Sequence, residues 1–250
     1  MRIKILDEVA RKKVFTIDEI VRVSNVSKDV LKVILSRLEK KGWIERIEKG
    51  KYMVIPLGAK KGEYTLNEFV IGSLLVKPSV ISYWSALSYY GLTEQIPAVI
   101  FIQTTSRKKK QELEIFGVRY KIVRIKERKF FGIDRVWIDE FQIYITDKEK
   151  TIIDCLDKPK YCGGVVEIVK ALRNNNFNFG KLSEYATKIG NSGVVRRLGY
   201  LSDILGLKID LPEVKVRNYL LLDPTMPKGG RINSRWKLII NLDISELGYD

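Results

Sequence analysis

The chain has 250 residues, of which 45% are apolar, so it is long enough to bury a substantial core in about two domains. Its 45 Lys and Arg residues outnumber 30 Asp and Glu, and the net charge of +15 favours a polyanionic partner, nucleic acid first. The alternative is a lysine-rich surface that serves solubility or heat tolerance. The absence of histidine excludes every imidazole-based catalytic scheme, and two cysteines are too few for a zinc site.

No segment suggests export or membrane insertion. Residues 1–11 alternate charged and apolar side chains and lack the apolar run of a secretory signal. The longest apolar stretches, such as residues 69–76, are too short to cross a bilayer. We therefore expect a soluble, cytoplasmic protein with buried or free thiols at Cys155 and Cys162, and with no metal or cofactor.

Three helices are predicted at the N-terminus. Apolar residues recur at helical spacing in residues 1–11, which predicts the first helix. Thr16 and Glu19 fit a capping box that begins a second helix over residues 16–23. A turn at residues 24–26 then separates the second helix from the third, as in a helix-turn-helix motif.

The third helix is predicted over residues 28–41, with Ser27 as its N-cap. Five apolar side chains at spacings of three and four are expected to pack on the first two helices: Val30, Leu31, Ile34, Leu35 and Leu38. Five polar side chains are expected to face outwards: Lys28, Lys32, Ser36, Arg37 and Lys40. Such a face is typical of a helix that reads the major groove.

A β-hairpin is predicted directly after this helix. Gly42 ends the helix, residues 43–47 and 52–55 form two strands, and residues 48–51 form a basic, glycine-containing tip. Three helices followed by a hairpin predict a winged helix-turn-helix domain over residues 1–56. This segment carries 14 Lys and Arg against 8 Asp and Glu, a net charge of +6.

We expect this domain to dock on double-stranded DNA. Phosphate contacts are assigned to five cations: Lys28, Lys40, Arg46, Lys49 and Lys51. Contacts with base edges are assigned to Lys32, Ser36 and Arg37. The alternative is that these side chains form an ordinary solvated face and that the domain binds protein.

Residues 57–62 read as a linker, and residues 63–250 as a second domain of mixed α and β structure. Helices are predicted at residues 64–75, 78–91, 147–156, 164–173, 181–189 and 192–205. Strands are predicted at residues 99–104, 117–125, 136–145 and 236–242. The predicted fold class is therefore α+β, with a winged helix-turn-helix domain in front of a mixed α/β domain.

The second domain offers little that points to catalysis. It lacks a phosphate-binding glycine loop, and Asp203, Glu213 and Lys215 match a metal-dependent nuclease only superficially. The paired acids Asp139 and Glu140 are read as turn residues rather than as a general acid and base. We therefore predict that the protein is not an enzyme.

Several basic residues of the second domain are candidates for contacts with nucleic acid. The compact run Arg107, Lys108, Lys109 and Lys110 follows a predicted strand and is expected to form a loop tip. For five further residues a structural role is favoured over contact with nucleic acid or an acidic partner: Arg196, Arg197, Arg231, Arg235 and Trp236.

Several segments together resemble the AbiE-type antitoxin family: the N-terminal helices and hairpin with residues 81–92, 143–154, 159–164, 197–201, 222–224 and 235–236. The resemblance implies an antitoxin of a type IV toxin-antitoxin system. The winged helix would repress its own operon at inverted promoter repeats, with two copies on the DNA. The second domain would counter a nucleotidyltransferase-like toxin without a stable complex, and the family brings no catalytic residues.

Two other functions remain open from the residues. One is a winged-helix transcription regulator whose second domain senses a ligand or a protein. The other is an enzyme, such as a nuclease or transferase, that the winged helix directs to nucleic acid.

Overall fold

The computed structural model describes residue 9 and residues 12–24, 26–174 and 176–244. The protein is a mixed α+β structure, as predicted, with two compact units. The first comprises Met1–Ile71 and Glu114–Val118, and the second comprises Gly72–Leu113 and Arg119–Asp250. The domain bounds 1–56, 57–62 and 63–250 stay a prediction. Within the described ranges, no helix has both the length and the apolar character that a bilayer crossing requires.

The first unit contains two described helices and one small sheet. Its elements are β1 (Val14–Thr16), α1 (Ile17–Ser24), α2 (Lys28–Lys40), β2 (Ile44–Glu48) and β3 (Lys51–Val54). The three strands are antiparallel in the order β1-β3-β2. The helix predicted over residues 1–11 lies outside the described residues, apart from the buried Val9.

Local signals fix where these elements begin and end. The Thr16 amide donates to Glu19 Oε2 at 2.8 Å and the Glu19 amide donates to Thr16 Oγ1 at 3.2 Å, so the predicted capping box is confirmed. Ser27 caps α2 by accepting a hydrogen bond from the Val30 amide. Gly42 follows α2 with a φ of +72°, which a residue with a side chain rarely adopts.

The core of the first unit lies between α1, α2 and the sheet. The fully buried side chains Ile20, Leu31 and Leu35 form its centre, and the rings of Phe15 and Tyr52 stack at 5.6 Å between centroids. Burial of such aliphatic and aromatic groups is worth about 1.5–3 kcal/mol each, so packing rather than helix propensity stabilises these short elements.

The second unit is built around most of a six-stranded mixed sheet. The strands are β4 (Val80–Ile81), β5 (Val99–Thr104), β6 (Glu112–Ile115), β7 (Val118–Arg124), β8 (Ile133–Ile138) and β9 (Phe141–Thr146). Their order is β6-β7-β5-β4-β9-β8. Strand β5 is parallel to β7 and β4 is parallel to β9, while β8 and β9 form an antiparallel hairpin.

Helices flank this sheet, and a second, three-stranded sheet follows them. The helices are α3 (Glu68–Leu75), α4 (Trp84–Tyr89), α5 (Lys148–Asp157), α6 (Val165–Asn174), α7 (Phe179–Lys188) and α8 (Ser192–Leu205). The late strands are β10 (Leu220–Leu221), β11 (Arg231–Asn233) and β12 (Leu238–Ile240), in the order β10-β12-β11. Cys155 and Cys162 are free and fully buried, as expected.

Two predicted elements of the second unit are wrong. Residues 78–91 do not form one helix, because Val80 and Ile81 enter the sheet between β5 and β9 and only Trp84–Tyr89 is helical. Residues 136–145 are not one strand, because the chain reverses at Asp139, which has a φ of +51°, to form the β8–β9 hairpin. Asp139 is thus a turn residue, as predicted.

Helix α5 is buried along most of its length and carries an internal ion pair. Lys150 and Asp154 are both almost fully buried, and the Lys150 ammonium donates to the Asp154 carboxylate one turn further on. The same ammonium lies 4.8 Å from the centre of the Phe131 ring. Burial raises the pKa of Asp154 although Lys150 opposes this shift.

Candidate nucleic-acid interface

Helix α2 presents a polar face to solvent. Leu31, Leu35 and Leu38 turn inwards, and all five side chains predicted to face outwards are exposed: Lys28, Lys32, Ser36, Arg37 and Lys40. The assignment of Val30 to the buried side is wrong, because 49% of its surface is exposed. Val30 lies at the margin of the apolar stripe, where three- and four-residue spacing does not decide the side.

Two lysines of this face are already held by acids. Lys28 Nζ lies 2.8 Å from Asp18 of α1, and Lys32 Nζ lies 2.8 Å from Asp29, three residues earlier. These hydrogen bonds lower the pKa of both carboxyl groups. All four side chains are exposed, so the pairs add little stability and either lysine can exchange its acid for a phosphate.

The hairpin places its predicted cations in three different settings. Lys49 is exposed at the tip, where Gly50 has a φ of +82°. Lys51 is about three-quarters buried and pairs with Glu48 at 2.6 Å. Arg46 donates to the Tyr52 hydroxyl at 3.3 Å and lies over the ring of that residue, so its position is fixed. Lys49 is therefore the cation best placed to reach a ligand.

Val33 is a candidate site residue that was not predicted from the sequence. It lies on the outer face of α2 between Lys32 and Arg37, and 53% of its surface is exposed. Its position three residues after Val30 and four before Arg37 places it on the outer side by helical periodicity, but an apolar residue gives no signal of charge or polarity that marks a binding site. An exposed valine on a DNA-reading helix supplies an apolar contact for a thymine methyl group.

The basic run of the second unit forms a loop between β5 and β6, as predicted. Arg107, Lys109 and Lys110 are exposed, whereas Lys108 donates its ammonium to the carbonyl of Leu75. The loop is tied down before the run by the Ser106 hydroxyl, which donates to the Lys77 carbonyl at 2.6 Å. The three exposed cations are available to a polyanion, and Lys108 has a structural contact.

Arg196 and Arg197 have the structural role that was favoured for them over contact with nucleic acid. Both side chains are buried, at 1% and 8% exposure, and their guanidinium groups donate to backbone carbonyls. The acceptors for Arg196 are Trp236, Asn218 and Lys237, and those for Arg197 are Leu222, Leu156 and Leu221. These arginines therefore connect α8 to α5 and to the segment 218–237.

Arg235, Trp236 and the three residues that superficially match a nuclease also have structural contacts. Those three residues are Asp203, Glu213 and Lys215. The Asp203 carboxylate accepts from the Trp236 indole at 2.6 Å and pairs with Arg235 at 3.0 Å. Glu213 and Lys215 pair with each other at 3.7 Å on the surface. Within the ranges that the structure describes, no group of three or more acidic, histidine or cysteine residues is arranged to hold a metal ion.

Comparisons with known proteins point to a family for one part of the chain. The crystal structure of the RV2827C protein from Mycobacterium tuberculosis matches with a TM-score of 0.63 at 16% identity, over 91% of this chain and 86% of that chain. At this identity the match shows a shared fold. No curated protein matches the sequence. Residues 4–55 match the family described as transcriptional regulator, AbiEi antitoxin, so the N-terminal part of the chain is similar to the regulators of that family.

Proposed function

We propose that the protein is a DNA-binding antitoxin that represses its own operon. The observation that carries this proposal is the exposed basic face of α2 beside a hairpin with Lys49 at its tip, within the segment similar to AbiEi regulators. In this proposal the first unit is a winged helix-turn-helix, and the protein acts in the cytoplasm on promoter DNA.

The proposed docking places α2 in the major groove and the β2–β3 hairpin along the sugar-phosphate backbone. Five cations position the domain on phosphates: Lys28, Lys40, Arg46, Lys49 and Lys51. Lys32, Ser36 and Arg37 then reach base edges, and Val33 contacts a thymine methyl group. The exposed cations Arg107, Lys109 and Lys110 of the second unit are proposed as additional contacts with nucleic acid.

The first experiment is binding of the full chain to its own upstream DNA, against a scrambled duplex, over a salt series. Autorepression predicts a preference for the upstream DNA of about 10³-fold or more that persists at moderate salt. The variant R37E/K40E, which reverses two exposed charges of α2, should lose this preference and keep its melting temperature. Equal affinity of the wild type for both duplexes would reject autorepression.

The antitoxin half of the proposal concerns the part of the chain after residue 62. Its proposed role is to counter a nucleotidyltransferase-like toxin without a stable complex. The test is growth of cells that express such a toxin from a neighbouring gene, with and without this chain. Rescue of growth by the R37E/K40E variant would separate toxin neutralisation from repression, and failure of the wild type to rescue would reject the antitoxin role.

A further inference from the structure

The β8–β9 hairpin of the second unit exposes two large aromatic side chains. Trp137 is 64% exposed and Tyr144 is 49% exposed. On the opposite face of β9, Ile143 and Ile145 are buried in the unit. Exposed tryptophan and tyrosine surface is unfavourable in water, so a face that displays both is a candidate for a binding surface.

The strand register places these two aromatic side chains on one face with two polar ones. Arg135 lies opposite Tyr144, and Trp137 lies opposite Gln142. Residues in direct register share a face, and diagonal neighbours on that face are about 7–8 Å apart. All four side chains are exposed. The face therefore combines two flat rings, a guanidinium group and a carboxamide.

A groove of about 510 Å³ opens beside this face. Tyr144 and Gln142 contribute to its wall together with Ile133 and Phe130, and Lys77 brings a cation to its rim. The lining is mainly apolar with a few polar groups, and the volume lies within the usual range for small-ligand sites. The aromatic face and the groove thus form one continuous surface, defined here as the hairpin platform.

Positive and negative charges lie at opposite ends of the hairpin platform. Arg135 and Lys77 lie away from the hairpin turn, while the exposed acids Asp139 and Glu140 lie at the turn itself. A polyanion is therefore attracted towards the groove and repelled from the turn. Flat rings, cations and a carboxamide are together the groups that bind unpaired nucleotides, through stacking, phosphate contacts and hydrogen bonds to base edges.

We propose that the hairpin platform binds single-stranded nucleic acid, with unpaired bases stacked on Trp137 and Tyr144 and phosphates at Arg135 and Lys77. This site lies in the second unit and is distinct from the duplex interface proposed for the first. A second copy of the chain, or another protein, is the competing occupant of the same surface.

The test compares single strands that have equal charge but differ in bases. Labelled octanucleotides of RNA and DNA, and an abasic strand of the same length, are titrated with the full chain by fluorescence anisotropy. An excess of unlabelled duplex occupies the first unit. The proposal predicts at least fivefold tighter binding of the base-containing strand, and a loss of about fivefold or more on Trp137→Ala or Tyr144→Ala. The affinity for the abasic strand should not change.

Two further variants separate stacking from general damage. Trp137→Phe keeps a ring and should retain most of the affinity, and Ile96→Ala removes a 92% exposed apolar side chain elsewhere in the unit and should have no effect. The RNA and DNA strands show which sugar is preferred. Equal affinity for abasic and base-containing strands would overturn the proposal. So would self-association that Trp137→Ala abolishes while strand binding stays unchanged.

Discussion

Arg37 and Lys49 are both exposed cations of the first unit, but their proposed roles differ. Arg37→Ala should weaken binding to the preferred site by about 1–3 kcal/mol and relax the preference at one base pair. Lys49→Ala should weaken binding to all duplexes alike. It should also reduce by about one the slope of log affinity against log salt concentration, called here the salt slope. The measurement is affinity for matched and mutated sites across a salt series.

A matched control exists for this pair of variants. Lys215 is an exposed lysine of the second unit, and Lys215→Ala removes the same charge without touching α2 or the hairpin. It should leave the salt slope near the wild-type value. If Arg37→Ala and Lys49→Ala behaved like this control, the docking face would be wrongly assigned.

Val33 allows a test that changes the DNA rather than the protein. Replacing thymine by deoxyuridine removes only the methyl group that Val33 is proposed to contact. At one position of the preferred site this replacement should weaken wild-type binding, and it should have no effect on Val33→Ala. Affinities that respond equally in the two proteins at every position would show that Val33 does not read the base.

At the scale of secondary structure, α8 packs so closely on Trp236 that no room is left for a side chain at Gly199. A Cβ atom at this position would lie 2.2 Å from the Trp236 ring, whose indole is held by Asp203. Gly199→Ala should therefore destabilise the protein by about 1–3 kcal/mol, measured by denaturant unfolding. Gly180 of α7 is the control, since its nearest neighbour is 3.4 Å away and Gly180→Ala should be neutral or slightly stabilising.

The buried pair in α5 predicts strongly non-additive mutations. Lys150→Met leaves the Asp154 carboxylate without its ion-pair partner and should lower the free energy of unfolding by about 3–5 kcal/mol. Adding Asp154→Leu should restore most of that free energy, because no buried charge remains. Burial raises the pKa of Asp154, and a raised pKa in the folded state favours folding at low pH and disfavours it as the pH rises. The difference in free energy of unfolding between the wild type and Lys150→Met should thus become smaller as the pH falls from 7 towards 5. Equal differences at both pH values would contradict this explanation.

The features of the fold that depend on local contacts were predictable from the sequence. The capping box of Thr16 and Glu19, the cap at Ser27 and the turn at Gly42 depend on neighbours within a few residues, and all three are confirmed. The exposed face of α2 was predictable for the same reason, except at Val30, because helical spacing separates the two sides of a helix but leaves the margin of the apolar stripe undecided.

Sequence reasoning failed where distant segments decide the structure. Val80 and Ile81 carry a pattern that fits a helix, but strands β5 and β9 on either side hold them in the sheet. A structural role was favoured for Arg196 and Arg197, but their acceptors could not be named, because these lie 22 to 41 residues away along the chain. The exposed pair Trp137 and Tyr144 became visible only once the hairpin register was known.

For the whole molecule, the proposed repression requires two chains on one operator. A single winged helix reads a short site, so tight binding to an inverted repeat needs one copy on each half. Titration of a duplex with both halves should saturate at two chains of 28.9 kDa, and a single half-site at one chain with weaker affinity. Light scattering of the complexes gives these masses. Saturation of the full repeat by one chain would contradict the arrangement.

The arginine contacts of α8 also bear on how the protein is made. Five of the six carbonyls that accept from Arg196 and Arg197 belong to residues 218–237, which the ribosome adds after α8. A ribosome that stops at a nonsense codon before Asn218 releases a chain in which two guanidinium ions, which stay charged, lack five of their six acceptors. Such a product is expected to be cleared by cellular proteases rather than persist as a shortened protein. Frameshifts between α8 and Asn218 should therefore behave as null alleles, although they leave the sequence of the N-terminal unit and of α8 intact.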